Sequence, residues 1–85
     1  MNASDELIHY LKEVNSELSN LSLEVSQRNK TKKFKAISNI LLCLRNQADA
    51  TLRYARAGGY KDFSVVTQKS IYKPIIEWIS SEVGQ

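Results

Sequence analysis

Five consecutive apolar residues, Ile40-Leu41-Leu42-Cys43-Leu44, sit near the middle of this 85-residue chain. They lie inside a longer pattern. Phe34, Ile37, Leu41, Leu44, Ala48, Thr51 and Ala55 recur at spacings of three and four, the apolar stripe of one helix face. At about 3.6 residues per turn, five successive side chains point all the way round the axis. A helix that is apolar on every side is a buried helix, so this segment is expected to need neighbours on two or three sides. A chain this short has two other helices to offer, which points to a second copy or a foreign partner. The expectation has a sharp consequence. Leu42 and Cys43 must be covered, and a lone molecule that leaves both in water removes this argument for assembly.

The length sets one domain, residues 1–85. Such a chain buries only about 60–65% of its unfolded surface, and self-association is a common remedy for the small stability margin that results. One Pro and three Gly argue against a sandwich or barrel, which needs many turn residues. Cys43 is the single cysteine, so no disulfide within the chain supports the fold. The opening Met-Asn-Ala-Ser-Asp-Glu has neither a basic start nor a long apolar stretch, and no segment approaches the roughly 18 apolar residues of a membrane span. The chain therefore reads as soluble and cytoplasmic, with no membrane partner.

Taken in order, helix one is expected over about 4–27. Ser4 is placed to cap it, and Asp5 and Glu6 complement the positive end of its dipole. Leu7, Leu11, Val14, Leu18, Leu21 and Val25 form a heptad seam, which predicts coiled-coil-like packing on another helix. Asn29 is suited to ending helix one and Thr31 to capping the next, so a short linker makes the two helices antiparallel neighbours. Helix two is expected over about 32–57, with Arg45, Asp49 and Arg53 spaced for i,i+4 pairs and Gly58-Gly59 as its stop. Helix three is expected over about 64–83. Asp62 or Ser64 would cap it, and a kink or break is expected around Ser70–Pro74, because an interior Pro removes one backbone hydrogen bond. An extended piece at Phe63–Val66 competes, since Val65, Val66 and Thr67 are β-branched. Tyr72, Ile75, Ile76, Ile79 and Val83 make the apolar stripe of helix three, and the stripe is expected to cover the flank of helix two that helix one leaves open. Trp78, beside that stripe, reads first as core and second as an interface anchor.

The fold expected is thus all-α: a long antiparallel helical hairpin plus a third C-terminal helix. Pairing of two hairpins through their seams would make a four-helix core. The residues expected to carry core or oligomer contacts are Leu7, Leu11, Val14, Leu18, Leu21, Val25, Phe34, Ile37, Leu41 and Leu44.

Chemistry is sparse. His9 and Glu13 are four apart, but two ligands do not make a metal site, and no second His or CxxC joins them. They read as a solvated pair. Cys43 sits among aliphatic residues and reads as a small buried side chain, not a nucleophile. No glycine-rich phosphate motif surrounds Gly58-Gly59. No catalytic residue, metal or cofactor is therefore assigned, and the chain is expected to be no enzyme. Charge is uneven. Residues 1–25 carry −4, residues 26–61 carry +8 and residues 62–85 carry −1. Arg28, Lys30, Lys32, Lys33 and Lys35 cluster at the hairpin tip, and Arg53, Arg56 and Lys61 lie about 30 Å away with Tyr54 and Tyr60 interleaved. Such groups neutralise phosphates, so nucleic-acid binding is an alternative, though no helix-turn-helix or basic-zipper pattern is present.

The order of elements over about 34–83 is similar in layout to the small bacteriocin immunity proteins: antiparallel helices, a glycine-marked break and a short amphipathic helix. That likeness implies a defined toxin or receptor partner. The leading expectation is a small non-enzymatic helical binding or assembly module that forms a homodimer.

Overall fold

A computed structural model of the chain describes residues 3–28, 31–59 and 64–84. Three helices account for nearly all of them: α1 (Ala3–Gln27), α2 (Lys32–Arg56) and α3 (Val65–Val83). No strand occurs among the described residues.

Local chemistry explains most boundaries. The Thr31 side chain accepts a hydrogen bond from the Phe34 backbone N–H at 3.2 Å, capping α2. At the far end the Gly58 N–H donates to the Ala55 carbonyl at 3.2 Å, with Gly58 at φ +107°, a conformation that favours glycine. The helix stops at Arg56, one residue before the expected end. Ser64 caps α3 by accepting from the Thr67 N–H at 3.4 Å. Val65 and Val66 are helical, so the competing extended segment is not formed at those two positions. α1 begins at Ala3, which puts Ser4 inside the helix and not ahead of it. Asn29, Asp62 and Phe63 lie outside the described residues.

α3 runs unbroken through Pro74, so of the kink or break expected around Ser70–Pro74 the break is not formed. Exposure accounts for the tolerance. Ser70 and Pro74 are both exposed, so water can reach the carbonyl that Pro74 leaves without a donor.

The helices run up, down and up. At one end Arg28 donates to the Val83 carbonyl and Lys33 pairs with Glu82, tying the end of α3 to the hairpin tip. Lower down, the Lys69 ammonium lies 5.6 Å from the centre of the Tyr10 ring. α3 is therefore parallel to α1 and antiparallel to α2. Both partners pack chiefly on α1, while α2 and α3 meet at few points. The central helix is α1, and α3 does not cover the open flank of α2 as expected.

The core follows from this arrangement. Every member of the α1 heptad seam is buried, from Leu7 to Val25. α2 contributes Ile37, Leu41, Leu44, Ala48, Leu52 and Ala55, and α3 contributes Gln68, Tyr72, Ile76, Ile79 and Val83. Phe34, Thr51 and Ile75 are half-buried. Leu52 was absent from the expected stripe. A fixed three-four alternation drifts about 20° per heptad on a straight helix, and by the end of α2 the inward position has moved to Leu52.

The apolar run is not wrapped. Leu41 and Leu44 are buried, but Leu42 is 56% exposed, Ile40 is 38% exposed and Cys43 is exposed. α2 is an edge helix covered on one face, and the expectation that five successive residues are buried fails. With it falls the argument for assembly built on a fully covered α2. Trp78 is 47% exposed, which also corrects its reading as core. Its stripe points toward the bundle two positions earlier and one later, at Ile76 and Ile79.

Tyr72 is the largest fully buried side chain. Burial raises its hydroxyl pKa above the ordinary 10.0, and a hydrogen bond to the Thr51 side chain opposes the shift. The Tyr10 pKa is also raised, first by burial, then by Glu17, Tyr72 and Glu13. Above pH ~10 the unfolded chain loses phenolic protons that the folded chain keeps. The unfolded state then binds fewer protons, so stability falls as pH rises. This contribution is fully present below pH ~10 and is lost on passing through the raised folded values. Urea unfolding midpoints should drop above that pH, and Tyr72→Phe should shallow the drop. Identical alkaline slopes for the two proteins would refute the assignment.

Candidate functional site

Two rows of side chains flank the seam between α2 and α3. The first follows α2 at heptad spacing through Ala36, Ile40, Cys43, Gln47, Ala50 and Tyr54. The second follows α3 through Ile71, Ile75, Trp78 and Glu82. The Lys33–Glu82 ion pair fixes their common end, and the Tyr72–Thr51 hydrogen bond fixes the seam further along. Because α2 and α3 scarcely touch, these residues are not consumed by packing on each other. Ile40, Cys43, Ile71 and Trp78 form an exposed, mainly apolar strip along one side of the bundle.

The other exposed large apolar residues are scattered. Leu23 faces directly away from the core of α1, and Val66 lies at the start of α3. Leu42 sits on the opposite edge of α2, in a polar groove with Asn15, Ser19, Arg45, Asn46 and Asp49. The groove between α1 and α3 mixes Glu13, Glu17 and Glu77 with Lys69 and Lys73 and so balances much of its own charge.

The basic hairpin tip has structural work within the fold. Arg28 satisfies a last-turn carbonyl of α3, where a cation also complements the helix dipole. Lys33 meets the buried Oε2 of Glu82. Lys32 and Lys35 are exposed, and Lys30 lies outside the described residues. In the second basic group Arg53 pairs with Asp49 and Arg56 is exposed, while Tyr60 and Lys61 are outside the described residues. His9 and Glu13 form the solvated i,i+4 pair expected of them, 2.9 Å apart. No group of three or more potential metal ligands occurs among the described residues. Among them, too, no helix is long and apolar enough to cross a membrane.

No known protein family, curated protein or solved structure matches this chain. The layout likeness to bacteriocin immunity proteins therefore extends no further than the order of elements.

Of the residues singled out by sequence, the heptad seam of α1 and Ile37, Leu41 and Leu44 of α2 are brought together in the core of a single chain. Phe34 packs at its edge. They are not a free surface, and pairing two hairpins through them would require opening this core. Trp78 alone of the expected partner contacts joins the strip. Its α2 half was missed, although the signal was present: the run 40–44 holds two interleaved stripes, and only Leu41 and Leu44 belong to the buried one.

Proposed function

We propose that this chain is a non-enzymatic helical protein-binding module whose contact surface is the α2–α3 strip. The observation that supports the reading is the position of Trp78, Ile71, Ile40 and Cys43 outside a core that is already complete. Contiguous exposed apolar side chains mark interaction surfaces, and Trp is enriched among residues that dominate binding energy. An open groove between two helices suits a third helix laid along it. Nucleic-acid binding at the hairpin tip takes second place, because Arg28 and Lys33 are already engaged with α3.

The test is site-resolved photocrosslinking in the source cell. A photoreactive residue replacing Ile40 or Trp78 should give discrete adducts. The same residue at Leu23 or Val66, exposed but off the strip, should not. Equal labelling from all four positions, or none from any, would remove the strip as a binding surface.

A further inference from the structure

We infer that a second surface, the α1–α2 face on the side away from α3, binds the phosphate backbone of a nucleic-acid duplex without reading its sequence. It lies across α2 from the α2–α3 strip and does not rest on the reading of that strip.

The sorting of charge carries the argument. α2 holds six basic residues and one acid. Four of the six, Lys35, Arg45, Arg53 and Arg56, fall within about 80° of one another around its axis, on the edge marked by Leu42. All four are exposed, and they follow that edge for about 32 Å. Arg53 holds Asp49, whereas Lys35, Arg45 and Arg56 form no ion pair among the described residues. The glutamates of α1 lie elsewhere. Glu6, Glu13, Glu17 and Glu24 recur at spacings of seven, four and seven, one side of that helix. The grooves that contain Glu6, Glu13 and Glu17 are shared with α3. The flank of α1 that borders the basic edge carries Asn15 and Ser19 instead. Among the described residues the acids bordering the face are Asp49, already held by Arg53, and Asp5 in the first turn of α1.

The chemistry of the face selects its partner. Asn15, Ser19, Arg45 and Asn46 line one groove with Leu42 and Asp49. Arg, Lys, Ser and Asn side chains are common donors to phosphate oxygens. One leucine does not make the apolar centre of a protein interface, nor the apolar face that seats a helix in a bilayer surface. Among the described residues no aromatic ring lies on this edge to stack unpaired bases, so the fit is to a duplex. The basic edge is close in length to one duplex turn, about 34 Å. No helix-turn-helix pattern is present to seat a helix in the major groove, so the contact is to the backbone alone.

The experiment follows fluorescence anisotropy of two labelled DNA duplexes of unrelated sequence and one RNA duplex, each of about 20 base pairs, titrated with the full chain. At least one duplex type should bind, and the tighter of DNA and RNA identifies the source of the phosphates. The two DNA sequences should agree within about threefold. The logarithm of affinity should fall against that of salt with a slope of about −3, the value for three to four phosphate contacts. The double variant Lys35→Gln with Arg45→Gln should weaken binding at least about tenfold and reduce the slope by about 2. Lys69→Gln with Lys73→Gln, the same loss of charge on the α3 side, should leave the slope unchanged. Trp78→Ala should bind duplex normally, which keeps this result separate from the reading of the strip. Circular dichroism confirms that each variant is helical. Absent binding, salt-independent binding or equal weakening by both double variants overturns the inference. A more than tenfold preference between the DNA sequences overturns the backbone-only contact. Displacement of the duplex by anionic phospholipid vesicles or by polyglutamate at matched charge assigns the face to a membrane or an acidic protein, and overturns it too.

Discussion

Leu41→Asp is expected to leave no folded chain, whereas Leu42→Asp, one residue along, is expected to fold normally. Leu41 has no exposed surface and packs in the shared core, while Leu42 is more than half in water. Removing the Leu41 side chain alone costs about 2–5 kcal/mol, and an unpaired charge in its place adds several more. A domain of this length has a total stability of only about 4–13 kcal/mol at typical values per residue. Leu42→Asp should stay within about 0.5 kcal/mol of the parent, as surface substitutions do. Far-UV circular dichroism with urea titration reads both. If both variants unfold, α2 is covered on both sides after all. If neither does, the core has been misplaced.

The two neighbours also show where the sequence was legible and where it was not. Spacing alone places Leu7, Leu11, Val14, Leu18, Leu21 and Val25 on one buried face, because nothing competes with that seam. Thr31 and Ser64 are identifiable as caps because a hydroxyl three residues ahead of a free N–H has a specific partner. Around Leu42 the signal was ambiguous. Apolar character records what a residue would gain by burial, not whether a neighbour arrives to provide it. Spacing within α2 does not say that α3 settles on α1, since both faces were available to its stripe. The charge pattern was easier to count than to interpret. Arg28 and Lys33 look like free cations in the sequence, and only the return of α3 to the hairpin tip gives them Val83 and Glu82 as partners. The candidate site suffered from both problems. It is what remains when the core and the Arg28 and Lys33 contacts to α3 have taken their residues, so it is legible only after those are known.

Tyr72→Ala should release α3 from the hairpin at a cost of about 3–5 kcal/mol, the range for emptying the site of a large buried side chain. Tyr72 is 1% exposed and comes from the helix that is held least. It lies close enough to Tyr10 of α1 to raise that group's pKa, and it is hydrogen-bonded to Thr51 of α2. One side chain thus engages both arms of the hairpin. Tyr72→Phe keeps the ring and loses only the hydroxyl, and it should cost about 1 kcal/mol. Thr51 still has a partner in that variant, because its hydroxyl donates to the Gln47 carbonyl at 2.9 Å. Because α1 and α2 share the longer contact, loss of Tyr72 should act unevenly. Native-state hydrogen exchange should show α3 amides losing protection first in Tyr72→Ala, with α1 and α2 retaining more of theirs. An equal fall across all three helices would mean that the bundle opens only as a unit. In that case the sparse α2–α3 seam would not weaken the hold on α3, and the strip beside it would belong to a rigid surface, not to one whose third helix can adjust to a bound partner.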